Sequence, residues 1–451
     1  MKLNVFPKLH LTTHEGGPST KVPPLAQLRR LTMACMLWED TFYVDGKTVA
    51  DQIAEVCEKV KVQDLINLAV EVHQKGLLRH TPLFLIVKAL KRKAKCIDAI
   101  DTICNRSDQM TELLTLYWKN GRCPIAKQLQ KGLAKAFPKF DEYQLQKYNR
   151  DTPIKLRDVL FLSHAKPKDE AQKELWSRLI SDTLKTPETW ETKLSAGEDK
   201  KESFEELLRK GKMGKLALVR NLRNMRAAGV PKELVREHLL KKSRPILPFQ
   251  FLAAAKMVPQ WEDIIDEGML KTMEEHEKFE GFTIVLVDVS GSMTNKISSK
   301  SDITHQDAAA ALAILIRSIS KEGLICTFSD RLVSVPPRNG MALRDAIKAS
   351  QSNSGTRLGA ALTQLNTEYE KLAKAKRIIV ITDEQTSDRI PQMPVENCYV
   401  INTGSYKNGI QNNGQWLTIN GFSEHTIDYI IEVEKSKIVE EKEALDCTWS
   451  E

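Results

Sequence analysis

The sequence predicts a multidomain chain, with an all-α region of helical repeats followed by an α/β region built on a doubly wound, mostly parallel sheet. Three observations carry this. Apolar residues recur at three-and-four spacing from about Pro24 to Glu280, as in "DQIAEVCEKVKVQDLINLAVEVHQKG" and "GKLALVRNLRNMRAAG", the period of an amphipathic helix. After Gly281 short aliphatic runs alternate with helical stretches, the pattern of strands joined by helices. The charge changes sign at the same place: residues 1–280 hold 49 basic and 38 acidic side chains, residues 281–451 hold 18 and 21.

In the first part, Thr81-Pro82, Cys123-Pro124, Thr152-Pro153, Thr186-Pro187 and Val230-Pro231 mark helix starts, since proline suits the first helical turn. The prolines are 42, 29, 34 and 44 residues apart, the length of a helix pair, which predicts an irregular helical-repeat solenoid. "SAGEDKKES" reads as an exposed loop between helices. The basic excess concentrates in residues 201–250, with 13 basic and 5 acidic side chains, whereas residues 251–280 carry 3 and 8. A polyanionic partner is the expected counterpart.

In the second part the elements follow in order. "FTIVLVDVS" is a strand, "HQDAAAALAILIRSISKEG" a helix, "LICTFSD" a strand and "RLGAALTQLNTEYEKL" a helix. "RIIVITDEQ" and "NCYVINTG" are strands, and "HTIDYIIEVEKSK" is the closing helix. Ligands on such sheets sit at the carboxyl ends of the strands.

The chain's 451 residues exceed one ordinary core, and the predicted domains are residues 1–280 and 281–451. No stretch of eighteen uncharged apolar residues occurs, and "MKLNVFPKLHLTTHEGG" lacks a signal peptide's apolar block, so a cytoplasmic protein without membrane association is expected. Eight cysteines are scattered without a C-x-x-C pair, against a structural zinc site or a disulfide framework.

Asp288, Ser290 and Ser292 form D-x-S-x-S directly after the first strand, so three oxygen-bearing side chains converge at the sheet's carboxyl edge. Gly291 is read as permitting the tight turn. Thr356 in "NSGTRLG" starts a helix, and Asp383 in "VITDEQ" ends a strand. Taken singly, Ser-Gly-Ser is most often a turn and Ser-Gly-Thr an N-cap; their order within this architecture is what points to a site. Five hard oxygen donors, two of them charged and none His or Cys, suit a divalent metal of the magnesium kind rather than zinc.

This constellation resembles the metal-ion-dependent adhesion site of von Willebrand factor A-like domains, over roughly residues 281–435. The resemblance implies that Ser290, Ser292 and Thr356 ligate magnesium directly, with Asp288 and Asp383 acting directly or through water. Three stretches of the first part, "PLAQLRRLTMACMLWEDTFYVDG", "KYNRDTPIKLRDVLFLSHAKP" and "GKLALVRNLRNMRAAGV" followed by "LPFQFLAAA", are similar to the TROVE domain of the Ro ribonucleoprotein autoantigen family. Membership of that family, as a microbial-type member, implies a ring of HEAT-like helical repeats closed by the A-like domain. It implies binding of Y-like noncoding RNA and of the single-stranded 3′ ends of misfolded or processed RNA, in RNA quality control. A monomer is expected, with an exoribonuclease or other protein docking at the metal site and no role for DNA.

By the same resemblance Lys147, Arg150 and His164 fall where the family places RNA-contacting groups, with Arg157 between them. From the residues alone, Lys212, Lys215, Arg220, Arg223 and Arg226 recur near three-to-five spacing around an apolar face and read as one phosphate-binding stripe. Any one of them taken alone is the solvated side of a helix, and His164 alone is a helix-end histidine. The competing reading is a metal-dependent protein-interaction scaffold without RNA, against which the charge split argues. An enzyme is not expected, for no P-loop or G-x-S-x-G occurs. Of the neighbours of Asp288 and Asp383, His305 reads as a first-turn polar residue, and Glu384 alone keeps the question open.

Overall fold

The computed structural model describes residues 19–21, 23–34, 49–74, 78–149, 151–186, 192, 199–242, 246, 248–274, 276–297, 302–404, 408–410, 414–421, 426–427, 429–431 and 433–435. They pack as two compact units, one within residues 24–38 and 48–212, the other within 1–23, 39–47 and 213–451. The change of sequence pattern at residue 281 therefore falls inside the second unit.

The first unit is helical: α1 Pro24–Ala34, α2 Val49–Cys57, α3 Val62–Gln74, α4 His80–Lys91, α5 Ile97–Ile103, α6 Ser107–Tyr117, α7 Lys127–Ala136, α8 Glu142–Tyr148, α9 Leu156–Ser163, α10 Glu170–Ile180 and α11 Lys200–Arg209. Odd-numbered helices stack on one another from α1 to α9, and even-numbered ones from α2 to α10. Two parallel rows of this kind are what helix-pair repeats produce, since no single pair can bury its own apolar face. Leu28, Ile53, Leu65, Leu85, Ile100, Leu113, Leu133 and Phe137 run through one continuous core. Asp141 and Asp169 accept the N3 amides of α8 and α10 at 2.7 and 2.8 Å, fixing the first turns of those helices. Thr81 and Pro82 lie in the first turn of α4, whereas Pro124 and Pro153 precede α7 and α9 by three residues each.

Gly132 sets the spacing within one row. A Cβ there would sit 2.7 Å from Ile100 Cβ, closer than carbon atoms pack, so α7 rests on α5 through its bare backbone. Gly132→Ala gains helix propensity of about 1 kcal/mol but overpacks a fully buried neighbour at about 1–3 kcal/mol. A net loss of up to about 2 kcal/mol is expected in urea unfolding.

The second unit contains α12 Lys215–Ala227, α13 Lys232–Leu240, α14 Pro248–Met257, α15 Glu262–Met273, α16 His305–Ile319, α17 Gly340–Ala349 and α18 Leu358–Glu368. Its strands are β1 Ser19–Lys21, β2 Phe279–Asp288, β3 Ser320–Phe328, β4 Leu332–Ser334, β5 Ala375–Thr382, β6 Asn397–Asn402, β7 Asn408–Ile410 and β8 Trp416–Asn420. Six form one sheet in the order β4-β3-β2-β5-β6-β8, parallel throughout except for the antiparallel edge strand β4. β1 pairs separately with β7. The four expected strands and the first two expected helices of this part are present; of the expected closing helix, positions 426–427, 429–431 and 433–435 are helical and the rest lie outside the described residues.

Why residues 213–273 group with the sheet follows from α16. Its run Ala308–Ile316 is buried on every side, as a helix apolar all round must be. The sheet covers one side, and α14, α15 and α17 cover the other. Asp307, fully buried near its start, accepts Lys348 Nζ at 2.5 Å and also Lys256 Nζ of α14. Burial raises its pKa and the two ammonium groups overcome that, leaving it below the usual carboxylate range. Five of the described cysteines are buried, none of the six is in a disulfide, and Cys123 is exposed; Cys35 and Cys447 lie outside the described residues.

Candidate functional site

The carboxyl edge of the sheet gathers three loops. β2 ends on Asp288, whose side chain is fully buried. Its Oδ1 accepts the Ser290 amide at 2.8 Å and its Oδ2 accepts Thr382 Oγ1 at 2.5 Å. Ser290 Oγ and Ser292 Oγ are 3.3 Å apart. The Thr356 loop is fastened to both others. Gly291 N–H donates to Ser354 O at 2.9 Å, and Thr356 O accepts Ser387 N–H and Oγ, each at 2.8 Å. Asp383 follows β5, accepts the Gln385 amide at 3.2 Å, and faces Gly404, where a Cβ would lie 3.0 Å from Asp383 Cβ.

Gly291 is not needed for a left-handed turn. It opens a 3-10 turn, Gly291–Thr294, and is absent from the positive-φ glycines. Glu384 is the strained residue instead, at φ 62° and buried. Its carboxylate accepts Asn402 Nδ2 at 3.3 Å and Thr418 Oγ1 at 3.4 Å, which turns it toward β6 and β8.

The electrostatics favour a cation. Burial, and then the charge of Asp383, push the Asp288 carboxyl up to about 7, against the hydrogen bonds from Ser290 and Thr382. His305, first residue of α16, lies close to Asp383 and the Thr403 backbone; burial lowers its pKa and Asp383 opposes that. Among the described residues no group of three or more His, Cys, Asp or Glu side chains is placed to hold a metal. A metal at this edge therefore depends on hydroxyl oxygens beside two carboxylates, a donor set that fits a hard divalent cation. Thr382 joins this edge although no sequence motif marks it, and His305 is more than the first-turn polar residue that its position suggests.

The candidate RNA contacts divide between the units. Arg220, Arg223 and Arg226 are exposed on α12 of the second unit, spaced by three residues along one flank. Lys215 does not join them. It is buried, and its Nζ donates to Thr272 Oγ1 of α15 at 3.3 Å, because a later helix covers the start of α12. In the first unit Lys212 is exposed before α12, and Arg157 is exposed on α9. Lys147 Nζ lies 5.4 Å from the Tyr143 ring centroid and 5.8 Å from that of Tyr148. His164 caps the end of α9 in the left-handed conformation, φ 55°, with its side chain exposed. Arg150 lies outside the described residues.

No helix among the described residues is long and apolar enough to cross a membrane. Residues 181–377 match the family model of the TROVE domain, a span that ends inside β5 and so crosses the change of pattern at residue 281. The fold is similar to the crystal structure of the Ro (RSR) protein of Deinococcus radiodurans, with a TM-score of 0.56 at 17% identity, covering 90% of this chain and 98% of that one. A looser likeness, TM-score 0.24 at 14% identity, joins 36% of this chain to the whole of the conserved hypothetical protein BatB of Bacteroides thetaiotaomicron. The chain thus carries a match to the TROVE domain over residues 181–377 and shares the fold of a Ro protein.

Proposed function

We propose that the chain binds small structured noncoding RNA of the Y-like kind and the single-stranded 3′ ends of misfolded or processed RNA. It would act as a cytoplasmic, monomeric ribonucleoprotein in RNA quality control. The observation that carries this is the TROVE match over residues 181–377, which includes the exposed arginine row of α12. Guanidinium groups on one flank of a helix suit successive phosphates, and such contacts give position rather than sequence.

The role is binding rather than catalysis. Glu384, the carboxylate nearest in sequence to Asp383, is engaged by Asn402 and Thr418 instead of standing ready as a base. Magnesium, held by Ser290, Ser292 and Thr356 with Asp288 and Asp383 directly or through water, would supply an electrophilic position for a carboxylate of a docking protein such as an exoribonuclease. The chain's residues fix that position by tying the three loops together.

The test is RNA binding by the full chain across a salt series. Each phosphate that is no longer neutralised by a cationic side chain flattens the slope of log affinity against log salt by about 0.9 for a duplex. Replacing Arg220, Arg223 and Arg226 together by glutamine should reduce the slope by about 2–3. An unchanged slope and affinity would remove α12 from the interface, and no salt-sensitive binding at all would leave the protein-interaction scaffold as the reading.

A further inference from the structure

We infer that the cleft between α9 and α10 receives one unpaired nucleobase of RNA, stacked on Phe161 and hydrogen-bonded by Trp176 Nε1–H. This rests on the RNA reading above and adds a subsite to it. The cleft has a volume of about 410 Å³ and is lined by Leu160, Phe161, His164, Lys173, Trp176 and Ile180 among others. That is the size of a small-ligand pocket, with room for a base and its ribose but not for a duplex.

Three features select the occupant. Phe161 is 57% exposed and Ile180 39% exposed, so folding leaves an aromatic face and an aliphatic wall open at the mouth. Trp176 is only 4% exposed and its ring packs edge-on against Phe137, centroids 5.2 Å apart. Yet Trp176 Nε1–H has no hydrogen-bond partner among the described residues, a buried donor that an incoming acceptor would satisfy. At the rim stand the exposed His164 and Lys173, the latter paired with the exposed Glu170 at 2.8 Å.

A base meets all of these at once. Its π-face covers Phe161, a carbonyl or ring nitrogen accepts from Trp176, and the ribose phosphates pass His164 and Lys173. An aliphatic side chain of a protein partner would cover Phe161 and leave the tryptophan donor unmet.

The experiment uses the full chain and two RNA hairpins, one with a short single-stranded 3′ tail and one whose tail is abasic. Both keep every phosphate, so the ratio of their affinities reports the bases alone. Wild type should prefer the base-bearing tail by about tenfold, the scale of one aromatic stack. Phe161→Ala, at an exposed position, should bring that ratio close to one. Trp176→Phe, which keeps an aromatic ring against Phe137, should reduce it in part. A 2-aminopurine in the tail should be quenched by wild type and not by Phe161→Ala. Equal affinity of wild type for the two hairpins, or a preference that survives Phe161→Ala, overturns the cleft as a base site while RNA binding stands. Failure to bind either hairpin overturns the RNA reading and the cleft with it.

Discussion

Replacing Arg377 with alanine is expected to destabilise the sheet-bearing unit by about 3–5 kcal/mol, the usual cost of breaking a buried ion pair by removing one partner. Arg377 is 1% exposed on β5. Its Nε and one terminal nitrogen donate to the two carboxylate oxygens of Glu434 at 2.7 and 2.6 Å. The same guanidinium donates to Thr283 Oγ1 and to Glu280 O, both at 2.8 Å, and lies 4.4 Å from the Phe279 ring centroid. Tyr399 O–H adds a third donor to Glu434 at 3.2 Å, its pKa raised by burial and then by the Glu434 charge, so the phenol keeps its proton.

Alanine would strand Glu434 as an unpaired buried carboxylate and leave Thr283 and the Glu280 carbonyl without their donor. Lysine cannot repair this, since one ammonium does not reproduce a planar fork facing four acceptor oxygens. A double change, Arg377→Met with Glu434→Leu, removes both charges and should recover most of the loss. Urea unfolding of the three variants checks the account. A loss below about 1 kcal/mol for Arg377→Ala, the range of an exposed pair, would show that the network is not what holds the helical positions near 434 to the sheet.

How much of this is legible in sequence depends on the range of the interaction. The strands β2, β3, β5 and β6 and the helices α16 and α18 are readable because their periods are local. The short edge strands β4 and β8 are three and five residues long, and too little period fits in them to distinguish strand from loop. The pairing of β1 with β7 joins residues near 20 to residues near 410, which no local pattern encodes. Lys215 shows the same limit at one residue. Helical spacing places it beside the arginines of α12, but α15 covers that end of the helix and takes its ammonium onto Thr272.

At the carboxyl edge of the sheet the candidate metal donors can be named from sequence because each follows a strand or opens a helix. Thr382 cannot be. Its hydroxyl reaches Asp288 only because β5 lies next to β2 with Val287 opposite Ile381, and strand order is a property of the whole sheet. His305 comes to Asp383 for a comparable reason, since the start of α16 returns over the carboxyl edge. The cleft beside Phe161 has no sequence signal either. Phe161 and Trp176 sit on different helices, and each reads as an ordinary apolar position of an amphipathic one.

In the absence of divalent metal, Asp288→Asn should be more stable than the native sequence at pH 8, and magnesium should no longer stabilise it. The sign follows from linkage. The folded-state pKa of Asp288 is raised to about 7 from its ordinary value of 3.8, so the folded chain holds a proton that the unfolded chain has already released. Stability from this group is present below about 4 and is lost as pH rises through about 7. His73, His80 and His305 are shifted downward, each mainly by burial. They act oppositely below their ordinary value of 6.5, where the unfolded chain takes up protons first. The difference between native and Asp288→Asn cancels that opposing slope, and it should grow with pH toward a ceiling of about 4 kcal/mol, at about 1.36 kcal/mol for each tenfold change in proton affinity. Asparagine keeps the acceptor for Ser290 N–H and can donate to Thr382 Oγ1, so the change removes charge rather than contacts. A divalent cation would relieve the same repulsion between Asp288 and Asp383, so magnesium should raise the melting temperature of the native sequence more at pH 8 than at pH 5, where protons compete for the site. Should Asp288→Asn be the less stable chain at pH 8 in chelator, or keep its magnesium response, the two carboxylates are held by protein contacts alone and the edge is no metal site.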